Sequence, residues 1–247
     1  MTLKSSREIA LMQKAGEITG LALECAGKVV RPGITTAEID KVVEDYILSR
    51  GATPSFKGYG GFPAAACVSV NDEVVHGIPG GRVLREGDIV SIDVGACFEG
   101  YQGDAARTFA VGTVDPEAQR LIDVTKQCFF EGIEFAKVGY RIGDLAHAIQ
   151  AYAENAGFSV VRELIGHGIG QQVHESPDVP NYGQPGHGLR FQAGLTIAVE
   201  PMINAGTRRV RQLDDGWTVV TLDGKYSAHY ENTIAVTDGA PLILTLV

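Results

Sequence analysis

Apolar residues recur at three- and four-residue spacing in four stretches of the chain, and each stretch predicts a helix with one buried face. The first opens behind Ser5, which with Glu8 forms a capping box, and carries Ile9, Met12 and Leu23 over about residues 6–29. A second lies within PGITTAEIDKVVEDYILSRGA (32–52), a third over about 115–136, and a fourth within VGYRIGDLAHAIQAYAENAGF (138–158). The segment 88–110, DIVSIDVGACFEGYQGDAARTFA, predicts a β-hairpin turning at Glu99-Gly100. A two-residue loop there sets Phe98 against Tyr101 and Gly95 against Asp104, so Asp93 becomes the diagonal neighbour of Asp104 on one face.

The second and fourth helices are copies. At a constant offset of 106, Gly33 matches Gly139, Ile39 Leu145, Val43 Ile149, Tyr46 Tyr152 and Gly51 Gly157, with the last glycine where a C-terminal cap belongs. Each copy follows another helix and precedes strands, and in both a glycine is followed six residues later by a carboxylate: Gly87 to Asp93, Gly194 to Glu200. The pattern predicts an α/β fold, internally duplicated, in which halves of about 1–112 and 113–247 form one catalytic domain. An approximate two-fold axis would bring the two carboxylate-bearing strands together.

Composition narrows what such a fold would do. A chain of 247 residues that is 45% hydrophobic buries enough surface to fold without a metal staple, so any metal it holds serves chemistry. The net charge of -9, without a Lys/Arg run, argues against a nucleic-acid or anionic-membrane partner. Cys25, Cys67, Cys97 and Cys128 form no CxxC pair, which excludes a thiolate zinc site and suits a reducing cytosol. No apolar run approaches the ~20 residues of a membrane helix, and the capped first helix is not a signal peptide. These features predict a cytoplasmic protein.

The candidate chemistry lies in carboxylates placed where they are costly. Asp93 and Asp104 share a hairpin face, while Glu200 in LTIAVEPM and Glu231 in SAHYENTIAV stand in apolar, β-rich runs. Asp104 alone reads equally well as a solvated strand-edge residue, and a buried ion pair would explain one of the glutamates but not both. His167 in IGHGIG and His174 in QVHESP lie seven residues apart among glycines, and His76 lies in VVHGIPG. His147 and His187 carry no signal; His229 lies two residues before Glu231, on the same strand face, as a neighbour of the cluster. Four carboxylates balance two divalent cations, with neutral His167 as a fifth donor. Such oxygen-rich donors suit Mn, Fe, Co or Zn in a pair rather than a closed structural zinc. Two such ions ~3.5–4 Å apart share a water, lower its pKa and polarise a carbonyl for hydrolysis.

VHGIPG, SIDVGA, YQGDAART, GHGIG with HESP, VEPMINAG, DGWTVVT and YENTIAVT occur in the order and approximate spacing of the bacterial type I methionine aminopeptidases. The chain resembles that family nearly end to end. The resemblance implies the "pita-bread" fold, a curved, mainly antiparallel sheet with helices outside. It implies two divalent ions on Asp93, Asp104, His167, Glu200 and Glu231, with Asp104 and Glu231 bridging and the shared water attacking the scissile carbonyl. His174 then stabilises the oxyanion, His76 assists the leaving amine and Glu200 handles the proton. Tyr59, Phe62, Cys67 and Trp217 line the methionine slot. The implied substrate is the initiator methionine of nascent polypeptides with a small second residue. The ribosome exit is a partner by association of function, and nothing demands more than a monomer. The chain departs from the family at Gly60, Val173 and Asn232, where histidine, phenylalanine and histidine are frequent. Xaa-Pro aminopeptidases and prolidases resemble it in their metal ligands but generally add an N-terminal domain, for which a first helix beginning near residue 5 leaves no room. Nothing the size of the type II insertion fits between Val173 and Glu200, and the zinc-binding extension of the eukaryotic type I forms is absent. A non-catalytic binding module on the same fold would leave five competent ligand positions unexplained.

Overall fold

A computed structural model describes residues 1–246. Its helices are α1 (Ser6–Val29), α2 (Thr36–Ser49), α3 (Pro116–Ile133) and α4 (Ile142–Asn155). The Ser5–Glu8 capping box opens α1, the Ser5 N–H donating to Glu8 Oε2 at 2.7 Å. Asp115 caps α3, and Pro116 takes a first-turn position where its missing N–H costs nothing. α3 ends three residues before the expected 136, because Phe135 and Ala136 bond back to Gly132 and Ile133 in a tightened last turn.

The duplication extends to individual hydrogen bonds. Thr36 N–H donates to Arg82 O and Ala37 N–H to Gly80 O; Ile142 N–H donates to Leu189 O and Gly143 N–H to His187 O. Both helices stop at a left-handed glycine, Gly51 with φ 71° and Gly157 with φ 83°. Each also packs its matching face into a separate core. Ile39, Val43 and Ile47 of α2 share one core with Val90, Ile92 and Val94, whereas Leu145, Ile149 and Ala153 of α4 share another with Ile197, Val199 and Ile234. This mixed α/β architecture is antiparallel at every ladder among the described residues.

Two ladders position the site. Strand Ile89–Phe98 pairs with Tyr101–Ala110 in the expected register, Phe98 against Tyr101 and Gly95 against Asp104. The loop residues Glu99 (φ 48°) and Gly100 (φ 81°) are both left-handed, as a primed two-residue turn requires. On its other edge the first strand pairs with Ala66–Val70, which sets Cys67 opposite Asp93. In the second half, Thr196–Val199 lies between Asn232–Ala235 and Gly166–Gly168, with His167 opposite Ala198. The two halves join where Ala106 and Glu231 exchange backbone bonds of 3.3 and 2.9 Å. Thr233 Oγ1 accepts from Asp104 N–H and donates to Asp104 O, each at 3.0 Å. Here the ladder narrows to a single residue pair, with the helices outside it.

α1 lies so close over the hairpin that a Cβ on Gly103 would fall 2.7 Å from Gly16 N. Gly103→Ala therefore forces helix and hairpin apart, and a loss of about 1–3 kcal/mol is expected. Thermal denaturation should show a melting temperature lower by about 5 °C; an unchanged value would mean that α1 moves away freely.

Candidate functional site: a buried carboxylate and histidine cluster

The seam concentrates charge on largely buried side chains. Asp93 and Asp104 enter from the hairpin, Glu231 from the joint between halves, Glu200 from just beyond Thr196–Val199, and His167 from Gly166–Gly168. Glycine alone fits beside His167: a Cβ on Gly166 would lie 2.4 Å from Ala198 O, and one on Gly168 2.4 Å from Ser176 O. Asp104 and Glu231 are buried, and the side-chain oxygens Asp93 Oδ1, Asp104 Oδ1 and Glu231 Oε1 have no hydrogen-bond partner. No lysine or arginine pairs with any of the four carboxylates among the described residues; their ionic neighbours are histidines. Arg107 comes near, but its guanidinium donates to the Glu231 carbonyl and to Asn232 Oδ1 rather than to a carboxylate.

Burial raises the proton affinity of every carboxylate here, and for Asp104, Glu200 and Glu231 the charges of their neighbours add to it. Asp93 is pushed up to about 7 by desolvation. Asp104 is raised by burial and then by the charges of Glu231 and Asp93, and Glu200 by burial and then by Asp93 and Asp104. Glu231 is raised by burial, Glu200 and Asp93, against a smaller pull downward from Arg107.

The imidazole of His167 is neutral, because burial lowers its pKa to about 4. Its Nδ1 lies 2.9 Å from Gly168 O, and a carbonyl only accepts, so Nδ1 carries the proton. The Nε2 lone pair then faces Glu200 Oε1 at 3.6 Å and Asp104 Oδ2 at 4.0 Å. A lone pair aimed at carboxylate oxygens is repulsive unless a cation lies between them. The donor set fits divalent ions of the Mn, Fe, Co or Zn kind: carboxylates, a tautomer-fixed imidazole and no thiolate. Cys67 is no such donor, since burial and the adjacent Asp93 raise its thiol well above the ordinary value.

Beside this cluster opens a cavity of about 140 Å³, and it collects every residue singled out from the sequence for the site. Phe62 and Trp217 meet edge to face at 5.1 Å, and Trp217 also stands 6.5 Å from His76. His76 adopts φ 60°, with its loop anchored by Gly77 N–H donating to Ser69 Oγ at 3.0 Å. His174 lies with its ring 4.3 Å from that of His167 and its Nδ1 2.8 Å from Tyr59 Oη. Phe56 is a wall that the sequence reading missed. Its one trace was Gly95 inside a strand, where a Cβ would fall 2.8 Å from the Phe56 ring. His147 and His187 are exposed and lie outside the cavity. Of the departures, Gly60 sits at φ 57° under Trp217, and Asn232 accepts from Arg107 and Thr245. Val173 is buried.

With divalent ions chelated away, the carboxylates should make the fold pH-sensitive. A carboxylate raised on folding favours the native state below its unfolded pKa and loses that advantage as pH rises through its folded value. For Asp93 that window runs from 3.8 to about 7. The buried imidazoles work in the opposite sense, His167 between 6.5 and about 4, so they offset the carboxylates only below pH 6.5. Chelated protein is expected to lose on the order of 10 °C in melting temperature as pH rises from about 5 to about 7.5, the span in which Asp93 titrates, and metal-loaded protein to hold steady. A flat profile without metal would show that the carboxylates do not repel one another.

A duplicated α/β fold with a cation-seeking carboxylate and histidine cluster at its seam defines a metal-dependent hydrolase. Residues 10–238 match metallopeptidase family M24, and the chain belongs to that family. It is 56% identical over 245 residues to a methionine aminopeptidase of Clostridium perfringens, covering 99% of this chain and 98% of the relative. The crystal structure of a methionine aminopeptidase from Thermotoga maritima superposes with a TM-score of 0.98 at 45% identity, covering 100% of both chains. A prolidase from Pyrococcus horikoshii shares the fold at a TM-score of 0.80 and 24% identity, covering 98% of this chain but 63% of that one. No helix among the described residues is long and apolar enough to cross a membrane.

Proposed function

We propose that this enzyme removes the N-terminal methionine from nascent polypeptides whose second residue is small. The reading rests on one juxtaposition: an apolar slot of Phe62, Cys67 and Trp217, edged by Tyr59, opens directly onto the carboxylate and histidine cluster. Aromatic and thiol walls suit the thioether of an unbranched methionine side chain. The donors fall into two triads, Asp104–His167–Glu231 and Asp93–His229–Glu231, which share Glu231 and so support a pair of ions. Glu200, beside both histidines, adds a fourth carboxylate to that pair. The bound ions would supply Lewis acidity to the scissile carbonyl and a water of lowered pKa.

The protein's own groups do the rest. His174 donates a hydrogen bond to the carbonyl oxygen as charge develops on it. Glu200 takes up the proton released by the attacking water. His76, on its strained loop beside Trp217, serves the departing amine. A monomer of one catalytic domain, acting in the cytosol on chains leaving the ribosome, suffices for this work.

Metal-stripped protein titrated with Mn or Co and offered Met-Ala-Ser, Met-Leu and Ala-Pro peptides tests the proposal. Metal-restored release of methionine from Met-Ala-Ser alone is the expected result. Cleavage of Ala-Pro would move the enzyme to the proline-specific members of the fold, and metal uptake without cleavage would make it a binding module.

A further inference from the structure

We infer that His229 is itself a metal ligand, its Nε2 joining Asp93 and Glu231 on the second of two ions so that each ion takes one imidazole. The inference rests on the two-ion reading above. His229 Nε2 lies 3.6 Å from Glu231 Oε2 and 3.9 Å from Glu200 Oε2. His167 Nε2, on the opposite side of the cluster, lies 3.6 Å from Glu200 Oε1 and 4.0 Å from Asp104 Oδ2. The two imidazoles therefore stand in near-equivalent relations to the carboxylates.

These separations exceed the ~3.2 Å limit of an N–H···O hydrogen bond, so His229 is not a donor to either carboxylate. They match two donors on one ion, since two bonds of about 2.1 Å span at most about 4.2 Å. The ring nitrogen is buried and has no hydrogen-bond partner in the protein. Asp93 and Glu231 each place an oxygen within 4.8 Å of a nitrogen of this ring and of one another.

The backbone holds the ring in place. Thr108 Oγ1 accepts from His229 N–H and donates to His229 O, both at 2.9 Å, tying the strand Ser227–His229 to the hairpin that carries Asp93. His229 closes the strand Ser227–His229, and Glu231 lies in the break before the strand Asn232–Ala235, so the chain brings both side chains to the cluster within two residues. A site with one imidazole per ion also keeps the charge balance, since the ligand is neutral.

X-ray absorption of protein loaded with one and then two equivalents of Co(II) tests the assignment directly. Two equivalents in the wild type should show about one imidazole per cobalt, and His229→Gln about half. Glutamine nearly preserves the side-chain volume, and calorimetric titration of the variant should show the second ion bound at least 10-fold more weakly, the first unchanged. An average of half an imidazole per cobalt in the wild type would overturn the assignment, whether or not the variant folds. Uptake of fewer than two ions would overturn the two-ion reading itself, and stoichiometry reports that separately from the imidazole count.

Discussion

Glu231→Gln is expected to bring methionine release below about 10⁻⁴ of the wild-type rate and, in chelated protein, to raise the melting temperature. Both effects come from one carboxylate. Glu231 is 2% exposed and common to both donor triads, so its loss would remove a donor from each of the two proposed ion sites at once. In the absence of metal the same group is a liability, because it is raised by burial and by the charges of Glu200 and Asp93. Glutamine keeps the volume, removes the charge and leaves no cavity to offset the gain. Metal should then stabilise the wild type strongly and the variant little, since stabilisation follows the occupancy of the native state by ligand. Metal content, turnover of Met-Ala-Ser and melting with and without chelator measure all three quantities. Near-normal turnover would sink the assignment of Glu231 to the metal centre, and a fall in the chelated melting temperature would mean that the cluster is held by contacts other than a cation. Asp104→Asn should behave alike, since burial and the charges of Glu231 and Asp93 raise it too.

What the sequence made legible was local or periodic. The hairpin register followed from a two-residue loop and a period of two, which together leave no freedom in the pairing of Gly95 with Asp104. The duplicated helices followed from a constant offset, and their capping glycines from the left-handed backbone such caps need. The seam was not legible, because it depends on Thr233 bonding Asp104 across 129 residues, a contact with no local signature. Arg107 was missed for the same reason: only the fold carries its guanidinium to the Glu231 carbonyl and Asn232. His229 was visible as a neighbour of Glu231 on one strand face. That its nitrogen approaches two carboxylates from different strands as closely as His167 does is a tertiary fact. The resemblance to a known family supplied roles for residues that spacing could only mark as unusual.

His174→Ala is expected to reduce turnover by roughly 10²–10³ while leaving metal content and KM nearly unchanged. The ring is poised to act on substrate rather than on an ion. Burial keeps its pKa below the ordinary value, so it works as a neutral imidazole. Its Nδ1 lies 2.8 Å from Tyr59 Oη. When the phenol donates that bond, Nε2 carries the proton and becomes a hydrogen-bond donor to a carbonyl oxygen. A donor of this kind gains strength only as the oxygen becomes an oxyanion, so its removal lowers kcat and spares ground-state binding. His174 belongs to neither donor triad, in contrast to His167, whose ring stands 4.3 Å away. Loss of one metal equivalent in the variant would make His174 a ligand and remove the oxyanion role. Unchanged turnover with full metal would place the stabilising donor elsewhere, and His76, which also lines the cavity, would be the next residue to replace.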